Sequence, residues 1–242
     1  MTVTPQHPGR ATQWPPANPS PSPVSVASTK GGCPAPLYLT PPSTALIKDA
    51  IALGHLGMIT TPKQGNRLLA GHPWCADNGV YTGRYPGDEA YLTWLRRLRP
   101  LAHNCLFAVA PDVVGDHLRT LTRSRNMLVK IRELGYPAAF VAQDGMQFSS
   151  WDPWDEIDCL FIGGGDEFKL SRDAAELVDV ANSLGKWTHM GRVNSLRRYR
   201  YAAAIGCDSV DGTHLTFAPD QNLHEVLQWR QIVAAKSAQC RP

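Results

Sequence analysis

The chain has 242 residues, 43% of them hydrophobic, which is enough for one sizeable core, and its formal net charge of +3 permits a polyanionic partner without demanding one. Its six cysteines (Cys33, Cys75, Cys105, Cys159, Cys207, Cys240) show no close spacing, which argues against a zinc knuckle or a disulfide framework and for reduced thiols. No apolar run approaches the roughly 20 residues of a membrane helix and the N-terminus lacks the apolar centre of a signal peptide, so a soluble, cytoplasmic protein is expected.

Residues 1–36 hold nine of the 20 prolines among Ser, Thr, Ala and Gly, a composition that buries too little surface to offset the entropy of ordering. A disordered tail is expected there, followed by one domain over 37–242. Short apolar runs at 37–40, 56–60 and 74–77 read as the first three strands, and the amphipathic stretch 88–98 as a helix. A strand at 105–110 then precedes a long helical pattern at 115–134, with further strands at 138–142 and 158–162. Helices at 171–184, 195–205 and 222–235 alternate with strands at 187–190 and 208–211. Eight strand and helix repeats in this length predict an α/β fold, a single (β/α)8 TIM barrel, whose chemistry gathers at the C-terminal ends of the strands.

Those ends carry Asp77-Asn78-Gly79-Val80-Tyr81, Pro111-Asp112, Gln143-Asp144-Gly145, Gly163-Gly164-Gly165, His189-Met190-Gly191-Arg192 and Asp211-Gly212-Thr213. A carboxylate pair suits glycosidic-bond chemistry, in which one group attacks the anomeric carbon and the other handles the leaving group's proton. Such a pair needs environments that keep one member ionised and let the other hold a proton. Glycines offer backbone donors to a flat ligand, or simply make a tight turn.

The segments Ala76-Asp77-Asn78-Gly79-Val80-Tyr81, Val141-Ala142-Gln143-Asp144-Gly145, Ile162-Gly163-Gly164-Gly165 and His189-Met190-Gly191 with Gly206-Cys207-Asp208-Ser209-Val210-Asp211 resemble, in order and spacing, the motifs of the tRNA-guanine transglycosylase superfamily. The resemblance implies that Asp211 is a nucleophile forming a covalent link to C1′ of the sugar, with Asp77 the general acid and base. It further implies that Asp112 and Gln143 read the base edge beside Gly163, Gly164, Gly165 and Gly191, with Tyr81 and Met190 sandwiching the ring. The zinc subdomain of the tRNA enzymes is missing, so no metal and no cofactor are expected. The sequence is then most similar to the zinc-free branch that places 7-deazaguanine bases into DNA.

The expected activity is thus exchange of guanine in DNA for a free 7-deazaguanine base such as preQ0, with a helper protein to open the duplex as a further partner. Arg192, Arg197, Arg198 and Arg200, interleaved with Tyr199 and Tyr201, form a basic stretch suited to a phosphate backbone. Three alternatives stay open: the same exchange on tRNA, a non-catalytic nucleic-acid-binding subunit, and a small-molecule enzyme binding phosphate at Gly163 to Gly165.

Overall fold

The computed structural model describes residues 35–148 and 154–239, so most of the expected tail, Cys33 and Cys240 lie outside the described residues. Eight parallel strands close into one barrel in sequence order: β1 (Leu37–Thr40), β2 (Gly57–Thr60), β3 (Trp74–Ala76), β4 (Cys105–Val109), β5 (Ala138–Ala142), β6 (Cys159–Ile162), β7 (Trp187–Met190) and β8 (Ser209–Asp211). Closure runs through β1 against β8, where Tyr38 pairs with Val210 and Leu39 with Asp211. The expected TIM barrel is the fold.

Strand alternation sorts the side chains into two cores. Leu39, Cys75, Phe107, Val109, Ala139, Val141, Cys159 and Phe161 point inward and fill the barrel. Their strand neighbours, among them Tyr38, Met58, Trp74, Phe140, Leu160, Met190 and Val210, point outward into the layer beneath the helices. The register between β3 and β4 shifts at Trp74/Cys75, so that Trp74 faces Cys105 and Cys75 faces Phe107, with Leu106 left between. Cys75, Cys105, Cys159 and Cys207 are all free and buried, and act as small apolar residues.

The described helices are α1 (Ala45–Ala52), α2 (Asp88–Leu98), α3 (His117–Glu133), α4 (Asp166–Lys169), α5 (Arg172–Ser183), α6 (Leu196–Ala204) and α7 (Pro219–Gln239). Thr44, Asp116, Ser171 and Ser195 cap α1, α3, α5 and α6 by accepting a backbone N–H three residues on. The expectation of a helix in every repeat needs correcting. Between β2 and β3 the chain makes no helix, because Pro62, Gly65, Gly71 and Pro73 break any run long enough to nucleate one. The described part of the β5 to β6 connection has only two short 3-10 turns, Met146–Phe148 and Trp154–Glu156. None of the helices is long and apolar enough to cross a membrane among the residues described.

Candidate active site

The inward-facing residue at or just past each strand end lines the C-terminal mouth of the barrel. Asp77 follows β3, and its Oδ1 accepts the Gly79 N–H at 2.7 Å, folding the chain back in a tight turn that needs Gly79 at a φ of 79°. Its Oδ2 has no hydrogen-bond partner among the described residues. Asp211 ends β8, with Oδ1 accepting the Arg192 N–H at 3.0 Å and Oδ2 facing His189 Nε2 at 3.1 Å.

These surroundings drive the two carboxyls apart. Burial and the charge of Asp211 push the Asp77 pKa up to about 7, against the pull of the Gly79 N–H, with Asp112 adding to the rise. Burial also opposes ionisation of Asp211. There, however, the hydrogen bond and charge of His189, the Arg192 N–H and the charge of Lys169 outweigh it and hold the pKa below the ordinary carboxylate value. The Asp211 side chain is 17% exposed, so it remains open to a ligand in the mouth.

His189 is fully buried and inward-facing, packed between the rings of Phe161 and Phe107 at centroid distances of 4.5 and 5.0 Å. Its orientation is fixed from behind. Trp187 Nε1 donates to Ser209 Oγ at 2.8 Å, and Ser209 Oγ meets His189 Nδ1 at 2.8 Å. Because indole can only donate, the Ser209 hydroxyl proton is free to bond Nδ1, which in the neutral imidazole leaves the Nε2 proton aimed at Asp211. Lys169, on α4, is 1% exposed and donates to the Gly191 carbonyl at 2.8 Å. Burial and the neighbouring Arg192 charge lower its pKa to about 8, while Asp211 and Asp166 resist that fall.

The remaining residues singled out in the sequence have varied placements. Asp112 accepts Asn78 Nδ2 at 3.0 Å and Gln143 Nε2 at 2.7 Å, and Gln143 Oε1 accepts the Gly115 N–H at 2.9 Å. These three side chains therefore lock β3, β4 and β5 together at the mouth, and burial raises the Asp112 pKa against those same hydrogen bonds. The glycine run is a packed turn. A Cβ on Gly164 would lie 2.7 Å from both Asp144 Oδ2 and the Phe168 ring, and one on Gly163 would lie 2.6 Å from Val141. Gly165 N–H donates to Asp144 Oδ2 at 2.7 Å and Gly163 N–H to the Ala142 carbonyl at 3.0 Å, so a carboxylate of the chain already occupies the turn. Gly191 is held close to the Phe161 ring, where a Cβ would approach to 2.9 Å.

Met190, expected to stack on a substrate, is fully buried in the outer core, because it sits one residue out of phase with the inward-facing His189. Tyr81 is 62% exposed, and the Arg192 guanidinium lies over its ring at 4.9 Å while donating to its hydroxyl at 3.2 Å. Arg192 also donates to the Gly164 carbonyl and adopts a φ of 61°, so it bridges the loops after β3, β6 and β7. Arg198 is occupied by Asp166 at 2.6 Å and by the Arg192 carbonyl at 3.1 Å, whereas Arg197 and Arg200 are exposed on α6. His189 and Asn78 stand in the strand-end segments and Ser209 in the β8 motif with no role assigned to them from the sequence, and Lys169 lies outside those segments. Alternation along β7 and β8, which pairs His189 with Ser209 and Asp211 on the inner face, was the available signal. Among the described residues no group of three or more His, Cys, Asp or Glu is arranged to hold a metal ion.

No family model matches the sequence, and no curated protein matches it. Solved structures similar to it include a mandelate racemase/muconate lactonizing protein from Herpetosiphon aurantiacus, at 13% identity and a TM-score of 0.49, with 77% of this chain and 57% of that one covered. Another is an L-talarate dehydratase from Polaromonas sp. JS666 complexed with Mg and L-glucarate, at 12% identity and a TM-score of 0.47, with 75% and 54% covered. The chain thus spans little more than half the length of these structures. Neither is a transglycosylase, and the resemblance to that superfamily is corrected accordingly. The motifs that carried it are short strand-end segments whose glycines and amides are spent on the barrel's own turns, as at Gly163 to Gly165 and Gln143. With that family go guanine exchange in DNA or tRNA, the glycosyltransferase assignment and the incoming 7-deazaguanine.

Proposed function

We propose that the chain is an enzyme that moves protons on a small polar substrate held in the barrel mouth, with Asp77 as general acid and base and Asp211 as a permanently ionised carboxylate. The observation that carries this reading is the unequal bonding of the two carboxyls, Asp211 meeting a donor on each oxygen and Asp77 only the Gly79 N–H, which pushes one toward about 7 and holds the other below its ordinary value. A group with a pKa near the working pH is suited both to give and to take a proton. Asp77 Oδ2, without a partner of its own, is the atom from which the proton would move. Asp211 then supplies fixed negative charge to a substrate hydroxyl, an amine or a developing positive centre, and His189 and the Arg192 N–H keep it oriented. The open acceptor at the mouth, Asp77 Oδ2, favours a substrate that donates a hydrogen bond there, and an isomerisation or elimination at a hydroxylated carbon fits that arrangement.

The test is proton exchange in deuterated water with a panel of small hydroxy- and amino-carbonyl compounds, followed by proton NMR. The reading expects a carbon-bound proton of one class to exchange with the parent protein and to stop exchanging with Asp77→Asn and Asp211→Asn. Exchange that persists at the parent rate in both variants would contradict it.

A further inference from the structure

We infer that the outer wall of the barrel carries a second binding site, for a small amphipathic anion, in the cleft left where the β2 to β3 connection makes no helix. The cleft has a volume of about 690 Å³ and lies between α1, the 61–73 connection and α2. That size suits a ligand of one to three rings or a short acyl chain. One wall is apolar, formed by Leu69, Leu98 and Trp94, whose ring stacks on Tyr91 at 5.7 Å and is therefore held rigidly. The rim is basic. Lys48, Arg67 and His72 line the cleft, and no Asp or Glu does.

Among the described residues none of these three makes an ion pair or a side-chain hydrogen bond. Three unpaired basic groups beside an aromatic and aliphatic wall match a ligand with one anionic head, carboxylate, phosphate or sulfonate, and an apolar body. The N-terminal segment is a poor occupant, because residues 1–34 contain Arg10 and Lys30 and no acidic residue, so its charge has the same sign as the rim. The cleft lies on the opposite face of the sheet from Asp77, and the inference does not rest on the proposed chemistry.

The experiment titrates the full chain with anilinonaphthalenesulfonate, an aryl sulfonate of the stated class, and follows its fluorescence. The expected result is saturable binding at one site, weakened at least about tenfold in the Lys48→Glu/Arg67→Glu double variant, both substitutions being at exposed positions. Trp94→Ala weakens binding as well, and the neutral N-phenylnaphthylamine gains nothing from the two cations. Thermal unfolding of the double variant at the parent temperature shows that the fold is kept. No saturable binding, equal affinity in the double variant, or a site that opens only when residues 1–34 are removed would each overturn the inference.

Discussion

Asp77 and Asp211 are the same residue type on strands β3 and β8, and the difference between them lies in what each oxygen touches. Asp211 has a donor on both oxygens, whereas Asp77 has one backbone N–H and otherwise faces protein and the charge of its neighbour. If Asp77 donates a proton, kcat/KM falls as pH rises through about 7, and Asp77→Asn lowers kcat by about 10²- to 10⁴-fold. His189→Ala removes the principal support for Asp211 ionisation, so the acid limb of the same pH profile moves upward. An unchanged acid limb would show that His189 does not control Asp211.

Asp77 also links the site to stability. Its folded pKa of about 7 lies above the ordinary 3.8, so between those values the folded state binds more protons than the unfolded one. Stability from this group is complete below about pH 4 and is lost as pH rises through about 7. Asp77→Asn should therefore stabilise the protein on the order of 2 to 4 kcal/mol at about pH 8 and hardly at all at about pH 4, as read from urea unfolding at both.

At the level of elements, β1, β5 and β7 match the apolar runs in the sequence residue for residue, and α2 matches its amphipathic stretch. Periodicity carries that information because a strand buried on both faces is continuously apolar and a helix is so only on a stripe. The two connections without α-helices were less legible, since counting strands implies a helix between each pair, and only the Pro and Gly spacing of 61–73 signals otherwise. Site residues were half legible. Strand ends located Asp77 and Asp211, but the facing of His189 against Met190 depends on strand phase, and the buried Lys169 lies on a four-residue helix too short to show a pattern. The glycine turn after β6 gives an element-scale prediction. Gly164→Ala places a Cβ against Asp144 and Phe168 at a φ of 71°, and should cost on the order of 1 to 3 kcal/mol, measured by the urea midpoint.

Across the whole molecule, the ring holds because its first and last strands meet under α7. Trp229 of that helix packs on Tyr38, Tyr199 and His214 at centroid distances of 6.4, 6.2 and 4.9 Å. The Tyr38 hydroxyl in turn donates to the Val193 carbonyl at 3.2 Å, and that of Tyr199 to the Pro36 carbonyl at 2.5 Å. Trp229→Ala should therefore destabilise the barrel by about 3 to 5 kcal/mol, and a loss below about 1 kcal/mol would mean that α7 is not part of the closure.

The barrel brings β3 and β8 to one mouth, and the function proposed depends on the difference in charge between their two aspartates. Carbon-13 NMR of carboxyl-labelled aspartate, followed across pH, reads that difference directly. The account predicts one carboxyl titrating near 7, absent in Asp77→Asn and shifted to lower pH in Asp211→Asn. A spectrum in which no aspartate titrates above about 5 would contradict it.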